Sequence, residues 1–192
     1  MDTTLRDGEQ TSGISFSPSE KLALSKLLLS DLKVDRIEVA SARVSDGELD
    51  AVKQISQWSK ENGYHDKVEI LTFIDNGSSL EWLNKSGAKV QNLLAKGSLN
   101  HLKYQLKSTP NEHFKNIEKN LIDAKKNGFL TNVYLEDWSN GMRNSVEYVF
   151  DFLDFLTNQP IKRILLPDTL GILSPVETNT YISKIIKKYP KQ

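Results

Sequence analysis

The sequence contains no cysteine among its 192 residues, which excludes disulfides, zinc–thiolate centres and a cysteine nucleophile. It also lacks an excess of charge of either sign, because 25 Lys and Arg residues balance 25 Asp and Glu residues. A partner such as nucleic acid or an anionic membrane surface is therefore not indicated. No glycine loop of the GxGxxG or GxxxxGK[ST] type follows any of the predicted strands, so a nucleotide-phosphate cradle is not indicated either.

Long apolar runs are also missing. No stretch approaches the length of a membrane-spanning helix, and no basic-then-apolar leader follows Met1. We therefore expect a cytoplasmic protein with no membrane partner. The chain is 38% hydrophobic and 26% charged, which is ordinary globular composition, and its length suits one domain.

Short runs rich in Val, Ile and Leu recur along the chain and are nearly continuous rather than alternating. Such runs are typical of parallel strands that are buried on both faces. A first strand of about four residues is predicted just before Arg6. The further predicted strands are residues 36–40, 68–74, 89–95, 131–136 and 163–167.

Helical patterns lie between these strands. Ser17-Pro18-Ser19-Glu20 is a helix-capping sequence followed by a leucine stripe, and Ser174-Pro175-Val176-Glu177 repeats the same arrangement. Further helices are predicted over residues 45–62, 78–86, 109–127 and 145–156. The chain is thus about six βα units of roughly thirty residues, which predicts an α/β fold with a parallel sheet.

Polar residues cluster directly after the predicted strands, among them Arg6-Asp7, Ser41, Glu136-Asp137 and Asp168-Thr169. The carboxyl ends of the strands form the active face of a (β/α)₈ barrel, and a doubly wound open sheet places ligands on the same side. Both architectures are compatible with the pattern.

The N-terminal segment DTTLRDGEQ, residues 2–10, carries the strongest chemical signal. Arg6 is a planar fork of donors, Asp7 is a hard oxygen ligand, and Glu38 in the next apolar strand can hold the arginine at a fixed angle. Such a trio can bind a 2-oxo acid and stabilise an enolate or a developing alkoxide. The alternative is that Asp7-Gly8 is a simple turn.

The segment DTTLRDGEQ resembles the signature of the DRE-TIM metallolyases, which include isopropylmalate, homocitrate and citramalate synthases and hydroxymethylglutaryl-CoA lyase. Asp7, Arg6 and Glu38 match the Asp-Arg-Glu that names the group. The resemblance covers essentially the whole chain, and the citramalate and isopropylmalate synthases are the most similar subgroup. It continues through residues 39–45, 94–99, 132–141 and 166–171.

The resemblance implies a role for each matching residue. Asp7 is the carboxylate that ligates a divalent metal (zinc, manganese or magnesium). Arg6 contacts the keto-acid oxygens and stabilises charge, and Glu38 orients Arg6. Thr169 holds the substrate carboxylate, and Glu136 is a strand-end acid near the substrate. The residues that pack against the side chain of the keto acid are Leu71, Leu94 and Tyr134.

The implied activity is a Claisen-type condensation of acetyl-CoA, as co-substrate, with a 2-oxo acid in branched-chain amino-acid biosynthesis. Bulky residues around the acceptor side chain favour pyruvate, which would give (R)-citramalate, because overfilling a packed pocket costs about 1–3 kcal/mol. The alternative is 2-isopropylmalate synthase acting on 2-oxoisovalerate. The resemblance also implies a homodimer at full length.

The sequence departs from the family in its metal ligands. Its three histidines are His65, His101 and His113, and none forms the His-x-His pair that completes the metal site of the family. We therefore expect residues 1–192 to be a partial barrel domain of about six units, without the last barrel units and any regulatory domain. A second hypothesis is a fragment without chemistry, because a lone Asp7 is a poor metal site when about three protein ligands are usual.

Other residues invite a structural interpretation. His101 is either a substrate-side histidine or a surface-loop residue. His113 is expected to face solvent in the first turn of its helix. Asp168 either takes part in catalysis or caps the loop that follows its strand. Trp138 is expected to pack in the core.

Overall fold

The computed structural model describes residues 1–190. Its strands are β1 (Ile37–Ser41), β2 (Val68–Thr72), β3 (Val90–Lys96), β4 (Leu130–Glu136) and β5 (Arg163–Leu165). Its helices are α1 (Pro18–Lys26), α2 (Asp46–Glu61), α3 (Ser78–Ser86), α4 (Leu99–Tyr104), α5 (Pro110–Lys126), α6 (Trp138–Asn144), α7 (Val146–Thr157) and α8 (Pro175–Lys188). A π-helical turn, Leu27–Asp31, extends α1.

The strands form one parallel sheet in the order β1-β2-β3-β4-β5, with helices in the connections. Neighbours in the sheet are therefore neighbours along the chain, which is the pattern produced by successive βα units. This confirms the predicted α/β class. Among the described residues, no helix combines the length and the hydrophobicity needed to span a membrane.

The chain divides into two compact units. The first comprises residues 1–93 and 122–132, and the second comprises residues 94–121 and 133–192.

In the first unit, α1, α2 and α3 cover an apolar core that includes Ile37, Val39, Ile55 and Ile70, all fully buried. Strand β2 is buried along its whole length, as expected of a parallel strand covered on both faces. The β1–β2 register shifts between Glu38 and Ala40. That irregularity lies beside the residue that the sequence assigns to the site.

In the second unit, helices α5 and α7 pack through aromatic rings. The Phe114 ring stacks on Phe152 and Phe155, with ring centroids 5.1 and 4.9 Å apart. This packing accounts for the phenylalanine-rich stretch of α7 without a cofactor. Gly97 is required by close contact, because a Cβ atom there would lie 2.7 Å from the backbone oxygen of Leu135.

Two details differ from the sequence prediction. The predicted first strand is reduced to a single parallel bridge between Asp2 and Ile37, and the chain turns immediately after it. Helices α4 and α6 were not predicted, because each is short and directly follows a strand end where polar residues favour a loop interpretation. The capped starts of α1 and α8 are confirmed, each with a complete capping box.

Candidate active site

The predicted trio of Arg6, Asp7 and Glu38 comes together in the first unit. The Arg6 Nε–H donates to Glu38 Oε2 at 2.6 Å, and its Nη1–H donates to Asp7 Oδ1 at 2.8 Å. The Glu38 side chain is 0% exposed, whereas that of Asp7 is 60% exposed. The guanidinium is therefore held between a buried carboxylate and a solvent-facing one.

The other oxygen of Glu38 is also bound. Asn92 Nδ2 donates to Glu38 Oε1 at 2.6 Å, and Asn132 Nδ2 donates to Asn92 Oδ1 at 2.8 Å. Burial raises the pKa of Glu38, although Arg6 and Asn92 offset part of this effect. Sequence reasoning missed both asparagines, and the available signal was an unexplained amide inside each of two apolar strands.

A buried lysine ties the loop after Arg6 to the body of the first unit. Lys21 Nζ lies 2.6 Å from both Glu9 Oε2 and Glu48 Oε1, and it donates to the backbone oxygen of Val39 at 3.2 Å. Its three N–H groups are thus fully used. Arg6, Glu9 and Glu48 also line a cleft of about 510 Å³.

A metal site is not completed by the residues that the structure describes. Asp7 supplies one exposed carboxylate, but residues 1–190 contain no group of three or more His, Asp or Glu side chains placed to hold an ion. Divalent metals in catalytic sites usually keep about three protein ligands. The donor set present therefore does not fit a catalytic metal.

Leu71 also lies in the first unit, and the remaining predicted residues lie in the second. Leu71 and Tyr134 are buried, and Leu94 is partly buried. Strand alternation places Tyr134 and Glu136 on the same side of β4. Glu136 forms an ion pair with Lys96 at the end of β3.

In the second unit, Thr169 lies in a turn after β5 and contacts the residue that directly follows β4. Its Oγ1 accepts a hydrogen bond from the backbone N–H of Asp137 at 2.9 Å. The carboxylate of Asp137 accepts the Ser98 hydroxyl at 2.6 Å and lies 3.5 Å from His101 Nε2. His101 is therefore a partly buried residue of α4, and the surface-loop alternative is wrong.

Asp168 has the capping role that was one of its two predicted interpretations. Its Oδ1 accepts the Ser139 hydroxyl at 2.5 Å, and its Oδ2 accepts the backbone N–H of Leu173 at 2.9 Å. Trp138 is buried, as expected of a core residue.

The expectation that His113 faces solvent is wrong. Its side chain packs edge-on against Phe152, and the residue is 2% exposed. Its Nε2 accepts the backbone N–H of Lys96 at 3.1 Å. Burial and the nearby Lys96 charge lower the pKa of His113 to about 4, so the ring is neutral at physiological pH.

The profile of the HMGL-like family matches residues 1–192. The chain is 32% identical over 190 residues to (R)-citramalate synthase CimA of Methanocaldococcus jannaschii, an alignment that covers 96% of this chain and 36% of that protein. It is 33% identical over 188 residues to 2-isopropylmalate synthase of Sulfolobus acidocaldarius, with coverage of 97% and 46%.

A third relative, homocitrate synthase AksA of Methanopyrus kandleri, is 32% identical over 184 residues, with coverage of 96% and 44%. The chain thus spans less than half the length of these relatives. Among solved structures, HMG-CoA lyase of Bacillus subtilis superposes with a TM-score of 0.76 at 19% identity and covers 98% of this chain and 64% of that one. This likeness confirms the barrel-type α/β fold that the sequence predicted.

Proposed function

Because this chain belongs to the HMGL-like family, we propose that the protein condenses acetyl-CoA with a 2-oxo acid, pyruvate being the acceptor and (R)-citramalate the product. The observation that carries this proposal is Arg6, fixed by buried Glu38 and next to exposed Asp7. The similarity to synthases of citramalate, isopropylmalate and homocitrate supports the reaction class.

In the proposed reaction, a base takes a proton from the methyl carbon of acetyl-CoA, and the resulting enolate carbon adds to the ketone carbon of the 2-oxo acid. The ketone π electrons move to oxygen, which becomes an alkoxide. Arg6 carries a permanent positive charge and stabilises this developing anion. Glu38 is the positioning residue that fixes the plane of the Arg6 guanidinium. The alkoxide then takes up a proton to become the hydroxyl group of the product. Hydrolysis of the thioester by water releases CoA and completes the reaction.

Two residues of the second unit are proposed to act on the acceptor. The Thr169 hydroxyl retains its hydrogen when its oxygen accepts the Asp137 N–H, so it can donate to the substrate carboxylate. Glu136 is proposed as an acid near the substrate, with its charge balanced by Lys96. Asp7 is proposed as a single metal ligand, and no step of this mechanism passes through a metal because the described residues do not complete such a site.

Acceptor size is proposed to be limited by Leu71, Leu94 and Tyr134. Leu71 and Tyr134 are already buried, so each can move little to admit a larger group. Pyruvate carries a methyl group, whereas 2-oxoisovalerate carries an isopropyl group. Overpacking by such additional atoms typically costs about 1–3 kcal/mol, or about 5- to 150-fold in kcat/KM.

Two further properties rest on the resemblance alone. The active protein is proposed to be a homodimer, and it is proposed to work in the cytoplasm in branched-chain amino-acid biosynthesis, leading to isoleucine or leucine.

Steady-state kinetics with the two acceptors tests the proposal. The protein, expressed in full as its gene encodes it, is assayed for release of the CoA thiol with acetyl-CoA, a divalent metal and each 2-oxo acid. We expect kcat/KM for pyruvate to exceed that for 2-oxoisovalerate. A preference for 2-oxoisovalerate would identify an isopropylmalate synthase, and no turnover with either acceptor would favour a protein without this chemistry.

A further inference from the structure

Two buried asparagines in the first unit form a chain that ends at Glu38. Asn92 in β3 and Asn132 in β4 are both 0% exposed. Asn132 donates to Asn92, Asn92 donates to Glu38 Oε1, and Glu38 Oε2 accepts from Arg6. Donation therefore converges on Glu38, from Asn132 through Asn92 on one side and from Arg6 on the other.

The direction of this chain is set by the chemistry of the amide group. An asparagine presents an oxygen acceptor on one side and an NH₂ donor on the other. If Asn92 were turned around, its oxygen would face Glu38 Oε1, which is also an acceptor while the carboxylate is ionised. Donation by Asn132 to the Asn92 oxygen prevents this reversal, because the Asn92 NH₂ group must then point at Glu38.

We propose that Asn92 and Asn132 are positioning residues for the condensation. Asn132 fixes the orientation of Asn92, and Asn92 fixes the carboxylate that orients Arg6. The inference rests on the role of Arg6 in the proposed function. The amide chain acts on the geometry of Arg6 through Glu38, and neither asparagine contacts the reacting atoms.

The charges around Glu38 show why an amide is needed. Arg6 is bound to one carboxylate oxygen of Glu38. Glu69 in β2 is the register partner of Glu38 and adds a second buried negative charge. Glu69 is itself paired with Arg36 at 3.1 Å. A neutral donor at position 92 therefore satisfies Glu38 Oε1 without adding further charge, whereas an apolar side chain would leave that buried oxygen without this partner.

Strands β3 and β4, which carry the two asparagines, also carry a matched control. Thr72 Oγ1 donates to Gln91 Oε1 at 3.0 Å, and Gln91 Nε2 donates to Thr131 Oγ1 at 2.9 Å. These residues are also buried, and each β3 or β4 member is adjacent in sequence to one of the asparagines. Successive strand residues point to opposite faces, so this second chain contributes to stability without contacting Glu38.

The decisive variant is Asn132→Asp, which replaces a donor with an acceptor of the same shape. Asn92 must then turn its NH₂ group to Asp at position 132, and its oxygen faces ionised Glu38. We expect kcat/KM at pH 8 to fall about 10- to 100-fold, the range for losing a hydrogen bond to a charged group. The ratio to wild type should rise as the pH is lowered, because a proton on the carboxyl at position 132 lets that group donate to the Asn92 oxygen and restores the chain.

Two controls accompany it. Asn132→Leu removes the donor without adding charge, so its loss should be about 5-fold and independent of pH. Thr131→Val breaks the opposite chain and should leave kcat/KM within about 2-fold of wild type at every pH. If Asn132→Asp does not fold, wild-type kinetics of Asn132→Leu would still overturn the proposal, as would equal pH profiles for Asn132→Asp and Thr131→Val.

A readout that needs no turnover separates this inference from the proposed function. The ¹³C chemical shift of the Glu38 carboxyl is titrated in wild type and in Asn132→Asp, with Thr131→Val as control. The apparent pKa should rise in Asn132→Asp alone. If wild type is inactive but the apparent pKa of Glu38 rises in Asn132→Asp, the condensation is rejected and the role of the amide chain is retained. If wild type is active but this pKa does not rise, the role of the amide chain is rejected.

Discussion

Replacing Lys21 with methionine should destabilise the protein strongly, because the lysine is a buried charge with two carboxylate partners. Its side chain is 1% exposed, and those of Glu9 and Glu48 are 22% and 14% exposed. Methionine preserves most of the length and packing of the side chain but leaves both carboxylates and the Val39 carbonyl without their common donor.

The magnitude follows from burial. Breaking a buried ion pair by removing one partner typically costs about 3–5 kcal/mol, and the partial exposure of the two carboxylates places this variant near the lower end, at about 3 kcal/mol. For a chain of this size, such a loss lowers Tm by about 6–12 °C. Burial and the charge of Glu9 raise the pKa of Glu48, while Lys21 opposes this effect. The loss in Lys21→Met should therefore grow as the pH rises and the carboxylates ionise.

Urea unfolding followed by circular dichroism measures this effect. The triple variant Lys21→Met/Glu9→Gln/Glu48→Gln removes the unpaired charges and should recover to within about 1 kcal/mol of wild type. Lys26→Met is the matched control on the same helix, since Lys26 is exposed and lies over the Trp58 ring, and it should cost less than about 1 kcal/mol. A Lys21→Met protein as stable as Lys26→Met would refute the reasoning.

Two further predictions concern Arg6 and His113. Arg6→Lys should lower kcat by about 10²–10³, because an ammonium cannot make both directed bonds of the guanidinium fork, and near-normal turnover in a kinetic assay would remove Arg6 from the mechanism. The pKa of His113 is about 4 in the folded protein against 6.5 for the ordinary side chain, so its contribution to stability is present above pH 6.5 and is lost as the pH falls toward 4. That contribution is about 3 kcal/mol. Urea unfolding at a series of pH values should therefore show that the free energy of unfolding of His113→Gln falls less between pH 6.5 and 4 than that of wild type. An equal fall in both proteins would contradict the burial argument.

Local features of the fold could be predicted from the sequence because their causes are local. The Ser17 and Ser174 caps depend on Glu20 and Glu177 three residues later, and both capping boxes are present. Buried parallel strands also have a direct signal, because covering both faces demands continuous apolar runs. The predicted first strand is only about four residues long, and in the structure a single bridge at Asp2 forms in its place.

Buried polar contacts could not be predicted in the same way. Lys21 pairs with Glu48, which is 27 residues away in the sequence, and Asn92 pairs with Glu38, 54 residues away. Such contacts depend on tertiary packing, and residue type alone favours exposure of a lysine. His113 did have a signal, because Ile117 and Leu121 follow it at helical spacing and are buried on the same face of α5.

Identification of the reaction product tests the central claim most directly. The protein is incubated with pyruvate, a divalent metal and acetyl-CoA labelled with ¹³C in both acetyl carbons, and the acids formed are analysed by chiral chromatography and mass spectrometry. The account predicts (R)-citramalate carrying both labelled carbons, in one-to-one ratio with the CoA thiol released. Thiol release without labelled citramalate, or labelled product formed equally well by Arg6→Lys, would contradict it.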